Sequence, residues 1–310
     1  MSSCMLFVPD DTARTGLSAP LMLCPAAGEP VLARLLRDLQ ESGVRRVLLV
    51  CREGWLDQAR ACVPESLELR LCGADEAADQ LHVFLSTDEE DAPELLLIPG
   101  PAYCDPEASA DEATAALFLD RAALMEALDQ DFSFAEFLRT GRRADETLHL
   151  HALSDTAHLA DYQASLRRQA AQLLRLAGVS IAPDCVVDPG VHVGAGTEIL
   201  PGCVLTGTTR VGAACRIGPQ SVLENSVIGD GAEVRMSNLV SARVGARAKL
   251  GPWTSAEHAE VGEDAVLEAF TLLQESSVTP GVRLGSGNHI TGGRTISEDL
   301  PDPTSSRKRK

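Results

Sequence analysis

The sequence predicts an α/β domain with a parallel sheet over residues 1–152, a connecting helix over residues 153–178 and a parallel β-helix over residues 179–300. Three observations support this prediction. Aliphatic residues recur every six positions in the second half, short apolar runs alternate with helical spacing in the first half, and a long helical pattern between them ends at Gly178. Residues 301–310 make a short basic tail, which we expect to be disordered.

The β-helix is predicted by a series of aliphatic residues that stand six positions apart. They are Ile181, Val187, Val193, Ile199, Leu205, Val211, Ile217 and Leu223. Four positions after each of them comes a small or β-branched residue: Cys185, Val191, Thr197, Cys203, Thr209, Cys215, Ser221 and Val227. A six-residue unit is one short strand and one tight turn, and three units close a triangular coil. Both residues of each unit should therefore face inward.

The period changes after Leu223, where five-residue units alternate with six-residue units. The aliphatic positions continue at Ile228, Val234, Leu239, Val244, Leu250, Val261, Leu267, Leu273, Val278, Leu284 and Ile290. The whole series predicts six or seven coils.

The first half reads as alternating strands and helices. Helical spacing predicts helices over Val31–Ser42, which Gly43 ends, and over Ala122–Asp129. Short apolar runs predict the strands, which are Met5–Val8, Val47–Val50, Leu81–Leu85 and Leu95–Ile98. Strands that alternate with helices indicate a parallel sheet. The connecting helix is predicted from Asp155 to Ala177, with Gly178 as its C-cap.

Composition excludes several classes of partner. The 310 residues carry a formal charge of −18, and the only lysines are Lys249, Lys308 and Lys310. Such a surface repels nucleic acid and anionic membrane. No apolar run approaches the ~18 residues of a membrane span, and the start lacks the features of a secretory signal. We therefore expect a cytoplasmic protein, in which the nine cysteines are reduced thiols.

Several stretches occur in an order that is typical of one enzyme family. They include Ala27–Leu32, Glu41–Val50, Leu117–Leu124, Leu153–Val179, Asn225–Gly231 and Ile296–Pro301. In these stretches the chain resembles the bifunctional N-acetylglucosamine-1-phosphate uridyltransferase and glucosamine-1-phosphate acetyltransferase, which makes UDP-N-acetylglucosamine for cell-envelope precursors. The resemblance implies a truncated nucleotidyltransferase-like domain, a left-handed β-helix and a homotrimer. It also implies acetyl-CoA and a sugar phosphate as ligands.

The sequence departs from this family where uridyl transfer would occur. The family's L-A-A-G-x-G-T-R-M loop corresponds to Val8–Leu17, where two carboxylates, Asp10 and Asp11, replace part of the glycine-rich cradle. Its G-D-x-P metal-binding turn corresponds to Gly100–Tyr103, which lacks the aspartate, so Mg²⁺ is not expected. The positions that remain from a nucleotide site are Arg14, Gly16, Gly28 and Gly100.

The acetyl-transfer motifs are altered as well. The family's L-R-P-G becomes Ala256–Ala259, with Glu257 in place of arginine, and its E-V-K-N-S becomes Leu273–Ser276, with Gln274 in place of lysine. The candidate bases are His289, which could match the family's catalytic histidine or be a turn residue, and His258 in an outward turn. Glu257, Gln274 and Asn288 are the candidate residues for binding acetyl-CoA or substrate.

Three functions remain open from the sequence, and they leave open whether the chain is an enzyme. The first is a non-catalytic or regulatory relative of the amino-sugar enzyme. The second is an active acyl-CoA-dependent transferase with a different acceptor. The third is a module that binds a nucleotide sugar near Gly28 and Leu95–Gly100 without turning it over.

Overall fold

The computed structural model describes residues 3–87, 93–105, 116–129, 141–143 and 148–303. The chain divides into two compact units, one ending at Ser165 and the other beginning at Leu166. Residues 304–310, and with them most of the predicted basic tail, lie outside the described residues.

The first unit contains ten short strands and five helices within the described ranges. The strands are β1 (Ser3–Val8), β2 (Pro25–Ala26), β3 (Glu29–Pro30), β4 (Arg46–Cys51), β5 (Glu68–Cys72), β6 (Glu94–Ile98), β7 (Ala102–Cys104), β8 (Leu117–Asp120), β9 (Arg142–Arg143) and β10 (Leu150–Ala152). The helices are α1 (Thr12–Thr15), α2 (Val31–Glu41), α3 (Leu56–Ala61), α4 (Ala77–Ser86) and α5 (Arg121–Leu128).

The main sheet has the strand order β5-β4-β1-β6-β8-β9. Its first four strands are parallel, as predicted, whereas β8 and β9 are antiparallel to their neighbours. All six residues of β4 are buried, because hydrophobic clusters cover both faces of the sheet. Burial on both faces is why β1, β4 and β6 are nearly continuous apolar runs. The edge strand β5 instead alternates charged and apolar residues, and only Cys72 in it is buried.

The predicted strand at Leu81–Leu85 is wrong, since these residues lie in α4. Leu81, Phe84 and Leu85 are the buried residues of this helix, and their spacing of three and four positions places them on one helical face. A short apolar run fits a buried strand and a buried helix turn equally well.

The connecting helix α6 runs from Thr156 to Leu176. It is one residue shorter at each end than the helix predicted over Asp155–Ala177. The side chain of Asp155 begins it, because Oδ1 accepts hydrogen bonds from the backbone N–H groups of Ala157 and His158, both at 2.9 Å. Gly178 follows the helix with φ +85°, which confirms the predicted C-cap.

The second unit is a parallel β-helix of seven coils, with one strand of each coil in each of three sheets. The first sheet consists of β11 (Ser180–Ile181), β14 (Glu198–Ile199), β17 (Arg216–Ile217), β20 (Glu233–Val234), β23 (Lys249–Leu250), β26 (Val266–Leu267) and β29 (Arg283–Leu284). The second consists of β12 (Val186–Val187), β15 (Val204–Thr206), β18 (Val222–Glu224), β21 (Asn238–Val240), β24 (Ser255–Glu257), β27 (Leu272–Gln274) and β30 (His289–Ile290). The third consists of β13 (His192–Val193), β16 (Arg210–Val211), β19 (Val227–Ile228), β22 (Arg243–Val244), β25 (Glu260–Val261), β28 (Ser277–Val278) and β31 (Thr295–Ile296).

The predicted aliphatic series forms the core of these coils. The small residue of each unit also faces inward, and hydroxyl groups there bond to the backbone. Thr197 Oγ1, for example, donates to the carbonyl of Gly212 at 2.8 Å and accepts from the N–H of Cys215 at 3.1 Å. The prediction that Val227 faces inward is wrong, since this residue is 43% exposed. The five-residue unit after Leu223 places the buried Ser226 at the inner position instead.

Glycine occupies the corner that follows the third sheet in each of the first five coils. Gly194, Gly229 and Gly245 occupy the same place in different coils, and a Cβ atom added to any of them would lie 2.5 Å from a backbone nitrogen of the next coil. The approach of the next coil therefore leaves no room for a Cβ atom at these three positions, whereas the sixth coil has Thr279 at the equivalent place.

Both ends of the β-helix core are covered. Ala171 of α6 belongs to that core and Leu174 packs against it. At the other end the chain returns to β29, where the carbonyl of Leu300 accepts from the N–H of Gly285 at 2.7 Å and the N–H of Leu300 donates to the carbonyl of Arg283 at 3.0 Å.

Candidate functional site

A cavity of about 920 Å³ in the first unit lies where β1, β4, β5 and β6 end. In open α/β sheets, ligands bind at the carboxyl ends of the parallel strands, so this is the expected position of a site. Four carboxylates and one guanidinium group line it, namely Asp10, Glu53, Asp75, Glu76 and Arg52. The cavity is therefore acidic.

The carboxylate of Asp10, two residues after β1, accepts hydrogen bonds from Thr12 and Arg52. Its Oδ1 accepts from the hydroxyl of Thr12 at 2.6 Å and from the N–H of Thr12 at 3.3 Å, and its Oδ2 accepts from Arg52 Nη1 at 2.8 Å. The hydrogen bonds from Thr12 and Arg52 lower the pKa of Asp10 to about 2, so this carboxylate is ionised at neutral pH. Asp10 is one of the two carboxylates that the sequence comparison aligned with a glycine-rich loop.

Asp11 is buried and belongs to the fold of this loop. Its Oδ1 accepts from the backbone N–H of Leu21 at 3.0 Å, and its Oδ2 lies 3.8 Å from Arg14 Nη2. This side chain therefore fixes the loop after β1 against the following segment.

The four residues predicted to remain from a nucleotide site lie at different places in the first unit. Arg14 and Gly100 line one smaller cavity of about 310 Å³ together with Leu153. Gly16 ends the short helix α1 with φ +72°. Gly28, with φ +91°, lies at the tip of the β2–β3 hairpin, where left-handed backbone is needed for the tight turn.

Sequence reasoning missed Arg52, which is the cation that holds Asp10. A signal was present, because Arg52 directly follows β4 and Asp10 follows β1 by two residues. Charged residues that follow neighbouring parallel strands meet at one edge of the sheet. Which strands are neighbours, however, is known only once the strand order of the sheet is known.

Three of the residues predicted for acyl transfer lie on the outer side of the second β-helix sheet. Glu257 and Gln274 are in register on adjacent strands. His289 pairs with Leu272 in β30 and is exposed. Its interpretation as a turn residue is therefore wrong, because the unit that begins after Leu284 has the full six residues and places His289 in a strand.

His258 is confirmed in an outward turn, at the corner after the second sheet, with φ +49°. Its Nδ1 lies 4.0 Å from Glu257 Oε1, and the two side chains are 62% and 51% exposed. Asn288 is buried, and its Nδ2 donates to the carbonyls of Gly285 at 2.7 Å and Pro301 at 3.3 Å. Its amide therefore holds the end of the chain against the last coil.

The chemistry that these groups can perform is limited. An exposed imidazole beside a carboxylate is a candidate general base. In the described part of the chain, no group of three or more His, Cys, Asp or Glu side chains is arranged to hold a metal ion, and no described helix is long and apolar enough to cross a membrane. Burial raises the pKa of the Cys203 thiol to about 11, in keeping with its predicted role as a core residue.

No protein-family model matches the chain, and no curated protein matches it. Among solved structures, it is similar to a candidate acetyltransferase of Bacillus cereus, with 14% identity and a TM-score of 0.30 over 42% of this chain and 82% of the other. It is similar to LpxA, a UDP-N-acetylglucosamine acyltransferase of Bacteroides fragilis, with 15% identity and a TM-score of 0.28 over 39% and 68%. A hexapeptide transferase family protein of Anaplasma phagocytophilum is similar at 16% identity and a TM-score of 0.23 over 39% and 70%. These likenesses concern the fold alone, a parallel β-helix of hexapeptide repeats.

Proposed function

We propose that this protein is a non-catalytic, regulatory or scaffolding relative of the amino-sugar uridyltransferase and acetyltransferase family. The observation that carries the proposal is the carboxylate of Asp10, which is bonded to Thr12 and Arg52 at the end of β1. The cleft lies at the carboxyl ends of the parallel strands, where α/β sheets bind ligands, but its lining is acidic.

Uridyl transfer needs cations, because the sugar phosphate attacks the α-phosphorus of UTP and pyrophosphate leaves with its negative charge. The cleft offers one arginine, and that arginine is paired with Asp10 at 2.8 Å. Glu53, Asp75 and Glu76 add further carboxylates. A triphosphate would meet repulsion where the reaction needs attraction.

The β-helix supports the same proposal from its own residues. Glu257 and Gln274 stand where the resembling family has an arginine and a lysine. A sugar phosphate bound at this face would therefore meet a carboxylate and a neutral amide. Acetyl transfer to glucosamine-1-phosphate is not part of the proposed function.

The proposal is tested with the purified full chain, UTP, N-acetylglucosamine-1-phosphate and Mg²⁺. We expect no release of pyrophosphate and no heat of UTP binding in calorimetry. The variants Asp10→Asn and Asp57→Asn are measured in the same two assays. The first removes one negative charge inside the cleft, and the second removes one on the surface of α3. Pyrophosphate release by the wild type at the rate of a working enzyme would overturn the proposal.

A second candidate function is an acyl-CoA-dependent transferase with a cationic or neutral acceptor. The pair of His258 Nδ1 and Glu257 Oε1, 4.0 Å apart, favours it, because a carboxylate supports an imidazole that takes a proton from an amine or hydroxyl. Acetyl-CoA would be the acyl donor. The test is release of free CoA with a panel of amines, comparing His258→Ala and His289→Ala with the control His192→Ala on the third sheet.

The assembly that we propose with either function is a homotrimer of β-helices in the cytoplasm. The resemblance described from the sequence is its basis. The surface through which copies would meet is a separate question.

A further inference from the structure

One corner of the β-helix carries large apolar side chains in an unusual backbone conformation. This corner lies between the first and second sheets and is occupied in successive coils by Gly202, Gln220, Met236, Trp253, Phe270 and Gly287, with φ from +45° to +77°. We call Met236, Trp253 and Phe270 the aromatic corner. They are in consecutive coils, so their spacing along the β-helix is about 4.8 Å per step.

The fold of the single chain does not account for the aromatic corner. Left-handed backbone is disfavoured for side chains with a Cβ atom and is rare for bulky ones. Glycine occupies the same corner in the second and seventh coils. Trp253 and Phe270 are nevertheless 62% and 60% exposed, so they bury little surface in return for the strained backbone.

Uncharged side chains adjoin the aromatic corner on the second sheet, and the carboxylates Glu224 and Glu257 stand two positions further along the same strands. The outward position at the start of the second sheet is filled in the third to sixth coils by Val222, Asn238, Ser255 and Leu272. With Gln220 and the aromatic corner, these residues make a neutral strip across four coils. The corresponding positions of the first sheet carry charges, among them Glu198, Arg216, Glu233 and Lys249.

A second copy of the chain is the occupant that suits this strip. Two molecules of charge −18 repel each other over most of their surface, and a neutral strip is where that repulsion is weakest. A β-helix of the same coil spacing also presents side chains at the same step of about 4.8 Å, so the side chains of two such strips can interdigitate along their length. Arg235 borders the strip and is exposed, whereas the bordering Glu268 is already paired with Arg283 of the same chain at 2.7 Å.

We propose that the neutral strip with Met236, Trp253 and Phe270 is the surface through which copies of this chain associate. The inference rests on the self-association that accompanies the proposed function, and it names the surface. Stable interfaces bury about 800 Å² per partner, whereas Trp253 and Phe270 can each bury roughly 100 Å² of exposed side-chain surface. The strip therefore supports an association that depends on protein concentration.

The test compares sedimentation velocity of the full chain with that of the double variant Trp253→Gly, Phe270→Gly over a wide concentration range. Glycine is the residue that this backbone favours, so the variant should fold. We expect the dissociation constant to rise at least about tenfold. The control is Arg247→Gly, Asp264→Gly, which places glycine at two left-handed positions of another corner and should associate like the wild type.

Fluorescence gives a second readout, because Trp55 and Trp253 are the only tryptophans. In a Trp55→Phe background, emission of Trp253 should shift to shorter wavelength as the protein is concentrated. A wild type that stays monomeric at all concentrations, or a double variant that associates as tightly as the wild type, would overturn the inference. The proposed function would be contradicted by a different measurement, namely the release of pyrophosphate.

Discussion

At the residue scale, Asp38 is a carboxyl group whose burial opposes its ionisation. It lies half-buried on α2, three and four residues from Glu41 and Arg34. Burial raises the pKa of Asp38 to about 6, against the opposing attraction of Arg34. The folded protein therefore prefers the protonated carboxyl, and ionisation of Asp38 at neutral pH works against folding.

The replacement Asp38→Asn should stabilise the first unit at pH 7.5 and have little effect near pH 4. Between the unfolded pKa of about 4 and the folded pKa of about 6, the folded state binds more protons. The free energy of unfolding of the wild type thus falls as the pH rises through this window. After allowance for partial exposure, we expect a gain of about 1–2 kcal/mol at pH 7.5.

The measurement for Asp38 is urea unfolding at pH 5 and pH 7.5 with wild type and variant. Asp161→Asn, on the exposed side of α6, is the control and should change the pH dependence little. Equal pH dependence in wild type and Asp38→Asn would contradict the prediction.

At the element scale, close approach of coils limits the sequence at the corner after the third sheet. A Cβ atom on Gly245 would lie 2.5 Å from the backbone nitrogen of Glu263. Gly281 differs, since it has φ +74° and no atom within 4 Å of an added Cβ. The first glycine is required by space and the second by backbone conformation.

Gly245→Ala should therefore destabilise the β-helix more than Gly281→Ala. Pushing two hydrogen-bonded coils apart costs about 2–3 kcal/mol, whereas left-handed alanine costs about 1 kcal/mol. Thermal unfolding followed by Trp253 fluorescence in the Trp55→Phe background distinguishes the two. Equal midpoints for both variants would show that the coils can separate at this corner without cost.

The elements that the sequence predicted best are those whose period is long and filled in every unit. The six-residue series is legible because each coil needs an aliphatic residue at the same inner position. Val227 could not be placed from the period, since a five-residue unit changes which neighbour faces inward. The helix over Ala77–Ser86 was missed because a short apolar run does not carry its own period.

The candidate sites were predictable only in part. The carboxylates of Asp10 and Asp11 were visible in the sequence, but the partner Arg52 depends on which strands are neighbours. The proximity of Glu257 and Gln274 was predictable, because the register of a β-helix follows from its period. The aromatic corner was not recognised, because left-handed backbone at Trp253 and Phe270 has no sequence signal when glycine is absent.

At the scale of the whole molecule, the net charge of −18 opposes association between copies. If the neutral strip is the contact, salt should strengthen association by screening this repulsion. Raising the salt concentration from about 0.05 M to about 0.5 M should lower the dissociation constant several-fold. Sedimentation at both salt concentrations checks this, and weaker association in high salt would indicate ion pairs across the interface.

The return of the chain over β29 has a consequence for solubility. Seven stacked coils end in a row of backbone N–H and C=O groups, and such an edge can recruit the matching edge of another molecule. Leu300 occupies part of that edge through its bonds to Arg283 and Gly285, while Asn288 holds Pro301 beside it. Without Leu300 and Pro301 this edge would be bare, so we expect these two residues to hinder end-to-end association of the solenoid.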